Sequence, residues 1–483
     1  MSTSSSAKRP SLILHSTIVL GCFWGLAALG MGLNPQSFWK FFTVPSAIPP
    51  GTPSLSYYWD IQAYGELALN PQCSAFYPLW PGLIRLGFAP TTVPEAAQAF
   101  LIVATSFSLL GIPIALKLFR TAFQDDRLAL EIALLYSLSP LAIFRVIGYT
   151  ESLFSFLGLL LLLLLSKSPD RFPLWLLMTI VGSLAAVLAL LRPTLPQTLG
   201  SSLACLVTLG LVDLGSHFRS FRRFREQSDR SSAQSNRSTR VYRACVSWAS
   251  QFQKRQPLVF PLTLALILGT IGGYSIYGWL CWRSTGNFWG PFSQQSLWNK
   301  SLGLRPWLLF TPRSPLLDFW GLYLPPLLGI AALGQVGQAL GFFSLVPLRG
   351  RFWTWLCALY PPLWILIQTW GRRYVENFAG NLARRTQHSK SLSSLPNWAN
   401  SYGFWFALYF AASHSAIVFL TQDRLVSLGR YIFAQPFLFF ALGSLYPHLD
   451  RRHQRLLGPT LMGVSSLYLI HQWIRYGNHQ WLG

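Results

Sequence analysis

The chain is organised around residues 57–86, which read YYWDIQAYGELALNPQCSAFYPLWPGLIRL. This stretch cannot be a membrane span, because it carries Asp60, Glu66 and Arg85 among several prolines. It is nevertheless rich in Trp, Tyr and Phe, which a solvated linker would not be. A carboxylate followed by aromatic side chains, just after a first hydrophobic helix, suits a pocket at the membrane–water interface. We therefore predict that residues 34–96 form an outer loop with short interfacial helices and the candidate active site.

The bulk composition indicates a membrane protein. Of the 483 residues, 52% are hydrophobic and only 11% are charged, and the mean hydropathy is +0.37. A soluble globular domain carries about 25% charged residues, so much of the surface of this chain must face lipid. We predict an all-α fold, a polytopic bundle of transmembrane helices that forms a single integral membrane domain over residues 1–483.

The net charge of +23 raises the possibility of a nucleic-acid partner, but its distribution argues against one. The basic residues are divided among several short loops and one long loop, residues 216–256, and they form no continuous patch. The positive-inside rule predicts such loops on the cytoplasmic side, where they favour anionic lipid headgroups. Membrane lipids are therefore the expected partners of this charge, and nucleic acid is not.

Apolar stretches that suit a membrane helix of about 20 residues recur along the chain and give about 11 to 13 spans. Lys8 and Arg9 place the N-terminus inside, which puts the loop with Asp60 outside and residues 216–256 inside. After residue 334 the charge pattern leaves the number of crossings open. The expected spans are residues 11–33, 97–118, 128–144, 152–166, 173–191, 197–214, 258–282, 316–334, 352–370, 402–420, 428–446 and 456–473.

The six cysteines show no spacing that is typical of a metal site or a disulfide framework. Four of them lie in or at the edge of hydrophobic runs, where cysteine commonly behaves as a small buried hydrophobic residue. We therefore expect neither a disulfide framework nor a zinc site. The N-terminal apolar run lacks a small-residue cleavage site, and we expect it to be a retained first span.

The chain has only 15 acidic residues, so the possible general bases can be considered one by one. On the predicted outer side, Asp60 and Glu151 stand beside aromatic residues. An enclosed carboxylate near one end of a bundle can accept a proton from a hydroxyl group. Each residue also has a structural interpretation, Asp60 as a helix N-cap and Glu151 as a charge that complements a helix dipole. The residue pattern leaves both interpretations open.

Cations on the outer side could bind a phosphate. Arg192 ends a predicted span, Lys300 lies in a predicted outer loop, and Arg430 opens a later span. A lone Lys or Arg at the interface more often anchors its helix by snorkelling, whereas several that converge would form an anion site. His414, inside a predicted span, is more often a satisfied polar residue than a ligand. The sequence contains no Gly-rich nucleotide-binding pattern, which disfavours ATP-driven or nucleotide-sugar chemistry.

Several segments resemble the PIG-V family, which comprises the GPI mannosyltransferase 2 group and its prokaryotic relatives. The first outer loop gives the most specific match, and the other matching segments follow in the same order along the chain. The loop at residues 298–300 keeps a positive charge but has lysine where the family has arginine, which removes bidentate binding. The segments that carry the resemblance are Trp59-Asp60, Tyr64 and residues 76–85, 139–144, 149–153, 285–300 and 427–436.

The resemblance implies a GT-C glycosyltransferase, which moves a sugar, typically mannose, from a polyprenyl-phosphate donor and inverts the anomeric centre. Asp60 would accept the proton of the acceptor hydroxyl, and Arg430 and Lys300 would stabilise the leaving lipid phosphate. This single displacement needs no cofactor, although a divalent metal is compatible with it. The residues expected to bind the substrates are Trp59, Tyr64, Glu66, Phe76, Tyr77, Tyr149, Glu151, Arg192, Trp298, Lys300, Arg430 and Tyr431.

The competing hypothesis is a transporter or flippase of a lipid-linked substrate, because such proteins also contain proline-broken spans and buried charges. The predicted charges lie at the outer end of the bundle instead of its midplane, which favours the transferase. The resemblance places the chain in the cytoplasmic membrane if it is prokaryotic and in the endoplasmic reticulum membrane if it is eukaryotic. In both cases the active site would face the outer or lumenal side.

Overall fold

The computed structural model describes residues 11–32, 60–166, 173–228, 252, 256–294, 303–304, 317–340, 396–421, 429–449 and 451–478. Every element of regular structure in these ranges is helical, which confirms the prediction of an all-α fold. The α-helices in chain order are α1 Leu12–Gly32, α2 Asp60–Leu69, α3 Leu79–Phe88, α4 Val93–Phe123, α5 Asp126–Ser137, α6 Glu151–Leu165, α7 Leu174–Leu191, α8 Leu195–Ser228, α9 Val259–Thr285, α10 Gly290–Ser293, α11 Leu324–Leu340, α12 Tyr402–Thr421, α13 Arg430–Phe433, α14 Phe437–Leu445 and α15 Arg451–Gly477.

Six helical segments in the described ranges are long and apolar enough to cross a membrane. In the most apolar part of α1 only 22% of the residues are buried against the rest of the protein, so most of that surface is suited to lipid. These segments confirm a multi-pass membrane protein. The count of about 11 to 13 spans stays a prediction, because residues 352–370 lie outside the described ranges. The six segments are Leu12–Gly32, Val93–Phe123, Leu174–Leu191, Leu195–His217, Val259–Thr285 and Asp318–Gly337.

Two of the expected spans, residues 128–144 and 428–446, are not single helices. Helix α5 ends at Ser137, before Pro140, and a short 3₁₀ turn, Ala142–Arg145, follows. Helix α13 ends at Phe433, and α14 starts only after Pro436. Proline lacks a backbone N–H and disfavours the helical conformation of the residue before it. The apolar character of both stretches was correctly predicted, whereas their continuity was not.

The two breaks lie against each other and against α6. The Ser139 hydroxyl donates to the carbonyl oxygen of Phe433 at 2.7 Å, and the Ser155 hydroxyl donates to that of Ala434 at 2.8 Å. A helix break inside an apolar bundle exposes backbone carbonyls that must find partners within the protein. The serine hydroxyls supply these partners and tie the turn after α13 to α6, one helical turn beyond Glu151.

Helices α7 and α9 approach each other through glycine. A Cβ atom at Gly269 would lie 2.1 Å from the carbonyl oxygen of Gly182, and one at Gly273 would lie 2.2 Å from that of Ala186. Neither distance can accommodate a side chain, because the obstacle is backbone. Small residues at such spacing let membrane helices pack closely without a hydrophobic driving force.

This packing predicts a sharp difference between neighbouring glycines of α9. We expect Gly269→Ala and Gly273→Ala each to lower the free energy of unfolding by about 1–3 kcal/mol, because the added methyl group overpacks the interface. Gly272→Ala is the matched control, since a Cβ atom there meets nothing within 4 Å. Thermal unfolding of the purified variants in detergent measures the difference, and equal stability of all three would contradict the packing.

Candidate active site

Two carboxylates and two guanidinium groups from distant parts of the chain meet in one place. Arg430 donates through Nη1 to Oδ2 of Asp60 at 2.5 Å, and its Nε lies 3.1 Å from Oε1 of Glu151. Arg192 donates through Nη2 to the same Glu151 oxygen at 2.8 Å. We call Asp60, Glu151, Arg192 and Arg430 the four-charge cluster. Glu151 joins its two arginines, and Arg430 joins its two carboxylates.

The four-charge cluster is buried. Glu151 is 0% exposed, Arg192 4% and Asp60 8%, and the Arg430 side chain retains 17% exposure. Buried charges are costly unless they are paired and hydrogen-bonded. Two positive and two negative charges balance here, so the cluster is neutral as a whole. Removal of any one member would leave an uncompensated buried charge.

Each residue of the four-charge cluster lies at or next to the end of a helix. Asp60 and Glu151 are the first residues of α2 and α6, and Arg192 directly follows the last residue of α7. A carboxylate at a helix N-terminus and a cation at a C-terminus both complement the helix dipole. Arg430 opens α13, the short helix before the second break. The dipole interpretation of Glu151 is therefore compatible with a place in the site, and the described hydrogen bond of Asp60 goes to Arg430.

Aromatic rings line the four-charge cluster. The Arg192 guanidinium carbon lies 3.9 Å from the centre of the Tyr431 ring, and that of Arg430 lies 5.2 Å from the centre of Tyr149. Tyr64 packs edge-to-face on Tyr149, with ring centres 6.4 Å apart. Guanidinium groups over aromatic faces are attracted by the ring quadrupole, more strongly where water is excluded. The rings thus hold the arginines without adding formal charge.

Burial, and after it the negative charge of Asp60, raises the pKa of Tyr64 and Tyr149 above the usual range of tyrosine. Loss of water disfavours the phenolate, and a nearby carboxylate disfavours it further. Both phenols therefore stay neutral at physiological pH. Their hydroxyl groups can donate hydrogen bonds to the oxygens of a substrate.

Of the other residues expected to bind the substrates, some lie beside the four-charge cluster and others lie elsewhere. Phe76 packs edge-to-face on Tyr64 at 5.0 Å and so extends the aromatic wall. Tyr77 packs instead on Tyr277, with ring centres 4.9 Å apart, in a second apolar cluster. Glu66 is exposed on α2 and accepts a hydrogen bond from Gln62 at 3.0 Å. Trp59, Trp298 and Lys300 lie outside the described residues.

The expectation that the cysteines form no disulfide is wrong for one pair. Cys73 and Cys281 are bonded, and their Cα atoms are 4.9 Å apart. The backbone N–H of Ser74 donates to the Tyr277 hydroxyl at 3.1 Å, and that hydroxyl lies 2.8 Å from the carbonyl oxygen of Phe76. The loop after α2 is therefore fastened to the end of α9. Hydropathy around each cysteine did not show that two residues 208 positions apart would meet.

The turn before Glu151 depends on two residues that were not expected to contribute. The Trp80 indole donates through Nε1 to the carbonyl oxygen of Gly148 at 3.0 Å, and this contact is buried. Gly148 has a φ of +89°, a left-handed conformation that glycine adopts readily and other residues rarely. This turn directs Tyr149 and Glu151 to the cluster. The glycine just before Tyr149-Thr150-Glu151 was the available signal.

In the described part of the chain, no three His, Cys, Asp or Glu side chains are grouped so as to hold a metal ion. The buried charged partners of Asp60 and Glu151 are arginines. The expectation that no cofactor is needed, and that a divalent metal is compatible, stays a prediction.

One stretch of the chain is similar to a mannosyltransferase. Over 133 residues it is 32% identical to GPI mannosyltransferase 2 of Schizosaccharomyces pombe. The match covers 26% of this chain and 28% of that protein, so the chain matches well under two thirds of the relative's length. No family model matches the chain.

The solved structures include a distant neighbour of this chain. It is the archaeal oligosaccharyltransferase AglB from Archaeoglobus fulgidus, in complex with an inhibitory peptide and a dolichol-phosphate. The superposition covers 95% of this chain and 55% of the neighbour, with a TM-score of 0.38 and 13% sequence identity. A similarity at this level carries no conclusion about activity or substrate.

Proposed function

We propose that the protein is a glycosyltransferase of GT-C type that moves a sugar, mannose in the first instance, from a polyprenyl-phosphate donor to an acceptor hydroxyl. The observation that carries this proposal is the four-charge cluster, in which the buried carboxylate of Asp60 lies 2.5 Å from a guanidinium that can bind phosphate. The similarity to GPI mannosyltransferase 2 and the resemblance to the PIG-V family support mannose as the sugar.

The proposed reaction is a single displacement at C1 of the sugar. The acceptor oxygen forms a bond to C1 while the bond between C1 and the phosphate oxygen breaks. The proton of the acceptor hydroxyl passes to Asp60, and polyprenyl phosphate leaves with one more negative charge than it had as a diester. Because the attack comes from the face opposite the leaving group, the configuration at C1 inverts. The mechanism needs one general base and no covalent intermediate.

The ion pair of Asp60 with Arg430 couples these two charge movements. Asp60 loses its negative charge when it accepts the proton, at the moment when the leaving phosphate gains one. Arg430 can then exchange its carboxylate partner for the phosphate, so the positive charge stays paired throughout. Its Nε lies 3.1 Å from Oε1 of Glu151 and has no hydrogen-bond partner in the part of the chain that the structure describes, so this donor can serve the leaving group.

The disulfide supports an outer or lumenal active site, because disulfides persist in oxidising compartments. It lies in the loop that follows α2, the helix that carries Asp60. The proposed location is therefore the cytoplasmic membrane of a prokaryote, or the endoplasmic reticulum membrane of a eukaryote, with the site facing away from the cytoplasm. A lipid-linked donor and membrane lipids are the proposed partners.

The sidedness can be measured by thiol labelling. In right-side-out vesicles we expect a membrane-impermeant maleimide to label Cys73 only after an impermeant reductant has opened the disulfide. The background is a variant in which every cysteine except Cys73 and Cys281 is replaced by serine, and further loss of Cys73 serves as the control. Labelling that requires permeabilised membranes would place the loop on the cytoplasmic side and contradict the proposal.

A transporter of lipid-linked substrates is the second candidate, favoured by the same buried charges. Proteoliposomes that contain a short-chain polyprenyl-phosphate mannose, radiolabelled in the sugar, distinguish the two functions. The transferase moves the label from the lipid to an added acceptor, tested as glycolipid, oligosaccharide and hydroxyl-bearing peptide. If the label stays on the lipid and only changes leaflet, the protein is a transporter and the proposal fails.

A further inference from the structure

His414 is a buried histidine in α12 with one ring nitrogen in use. It is 4% exposed, and its Nδ1 lies 3.0 Å from the carbonyl oxygen of Phe410. A carbonyl can only accept, so Nδ1 carries the proton and Nε2 carries a lone pair. Nε2 makes no hydrogen bond within the ranges that the structure describes. Within these ranges the Nε2 lone pair is therefore free to accept a hydrogen bond from a ligand.

His414 lies next to the four-charge cluster. Its ring is stacked on Tyr431, with ring centres 5.8 Å apart and an angle of 26° between the planes. The guanidinium of Arg192 lies over the same Tyr431 ring at 3.9 Å. Nη1 of Arg192 is buried and has no hydrogen-bond partner among the described residues. One unused donor and one unused acceptor therefore stand beside a single aromatic ring.

The donor Nη1 of Arg192 and the acceptor Nε2 of His414 together limit which chemical groups of a ligand could bind here. The buried Nη1 of Arg192 is costly without a partner, and a ligand that accepts a hydrogen bond from it recovers that cost. A phosphate diester could accept from Arg192 but has no hydrogen to give to Nε2 of His414. A hydroxyl group both donates and accepts. Neighbouring hydroxyl groups of a sugar ring can satisfy both residues.

We infer that Arg192 and His414 bind hydroxyl groups of the sugar of the donor. The inference rests on the proposed function and names the part of the substrate that this side of the cluster contacts. Arg192 and Arg430 share one oxygen of Glu151, at 2.8 and 3.1 Å. In the donor the sugar is bonded directly to the phosphate, so a sugar subsite must adjoin the phosphate subsite. Arg430 thus defines the phosphate end, and Arg192 with His414 defines the sugar end.

The test combines variants of His414 with donors that each lack one sugar hydroxyl. For wild type we expect removal of one particular hydroxyl to lower kcat/KM roughly 10- to 100-fold. His414→Asn keeps a donor for the Phe410 carbonyl but loses Nε2. This variant should be slow with the complete donor and lose nothing more when that hydroxyl is removed. His414→Gln restores a polar group near the Nε2 position. With this variant, removal of the same hydroxyl should again lower kcat/KM, although less than in wild type. His471→Asn, at an exposed position of α15, is the control and should behave as wild type.

The outcomes separate this inference from the proposed function. If wild type transfers sugar and His414→Asn retains the full penalty for every missing hydroxyl, the inference is overturned and the proposed function stands. If wild type transfers no sugar from any donor, both fail. If His414→Asn does not fold, the inference is tested on wild type by comparing deoxyfluoro donors with deoxy donors. Fluorine cannot donate to Nε2, so at one ring position the fluoro and deoxy donors should bind wild type equally weakly. If no ring position gives this result, the inference is overturned.

Discussion

Replacement of Asp60 by asparagine is expected to lower kcat for sugar transfer about 100- to 10,000-fold while the donor still binds. Asparagine has nearly the same shape but cannot accept the proton of the acceptor hydroxyl. Arg430 keeps its contact with Glu151, so the phosphate end of the site persists. Single-turnover release of label from a polyprenyl-phosphate mannose measures the chemical step, and equilibrium binding of the same donor measures the rest.

The control for this prediction lies on the same helix. Gln62→Ala removes an exposed polar side chain whose described hydrogen bond goes to Glu66, and it should leave transfer unchanged. Thermal unfolding of both variants separates a lost base from a lost fold. If Asp60→Asn keeps full turnover in a folded protein, Asp60 is not the base, and the carboxylate acts only as a partner of Arg430.

Replacement of Glu151 by glutamine is expected to lower the free energy of unfolding by about 3–5 kcal/mol. Glu151 is fully buried and holds both arginines through one oxygen, at 2.8 and 3.1 Å. Without its charge, Arg192 loses its ion-pair partner, Arg430 keeps only Asp60, and the cluster carries a net positive charge. Thermal and denaturant unfolding in detergent measure the loss.

A second substitution tests whether charge balance is the cause. The double variant Glu151→Gln with Arg192→Gln returns the cluster to one positive and one negative charge. We expect it to be more stable than Glu151→Gln alone, although one more side chain has been changed. Equal or lower stability of the double variant would show that packing around Glu151, and not its charge, is what the single substitution destroys.

The membrane fold could be predicted from the sequence because it depends on composition. A chain with 11% charged residues and recurrent apolar runs can satisfy its backbone in lipid only as helices or a closed barrel. The continuity of two spans could not be predicted in the same way. An average over about 20 residues hides a single proline, although Pro140 and Pro436 were both visible as signals.

The residues of the four-charge cluster could be selected from the sequence, but the sequence did not show that they would contact one another. Asp60 and Arg430 are separated by 370 positions, and no local pattern states that one will hydrogen-bond the other. The resemblance to the PIG-V family supplied both residues as expectations, and the helix-end positions of Asp60 and Glu151 were also predicted. The pairing that makes the cluster neutral became visible only in three dimensions.

The disulfide could have been anticipated by combining two arguments. Cys73 falls in the first predicted outer loop, and Cys281 falls at the end of a span whose following loop was also predicted to be outside. Topology therefore placed both on one side, where oxidation is possible. Hydropathy around each cysteine, considered separately, favoured a buried thiol. The stacking of His414 on Tyr431 could not be predicted for a related reason, because a histidine in an apolar helix carries no sign of which neighbour it stacks on.

The most direct test of single displacement with Asp60 as the base is the configuration of the product. Purified protein would be supplied with a polyprenyl-phosphate mannose of known anomeric configuration and an acceptor identified in the proteoliposome assay, and the new glycosidic bond would be assigned by NMR. Single displacement predicts that the anomeric configuration of the product is opposite to that of the donor. Retention of configuration would require two displacements or attack from the face of the leaving group, and either would contradict a single displacement with inversion.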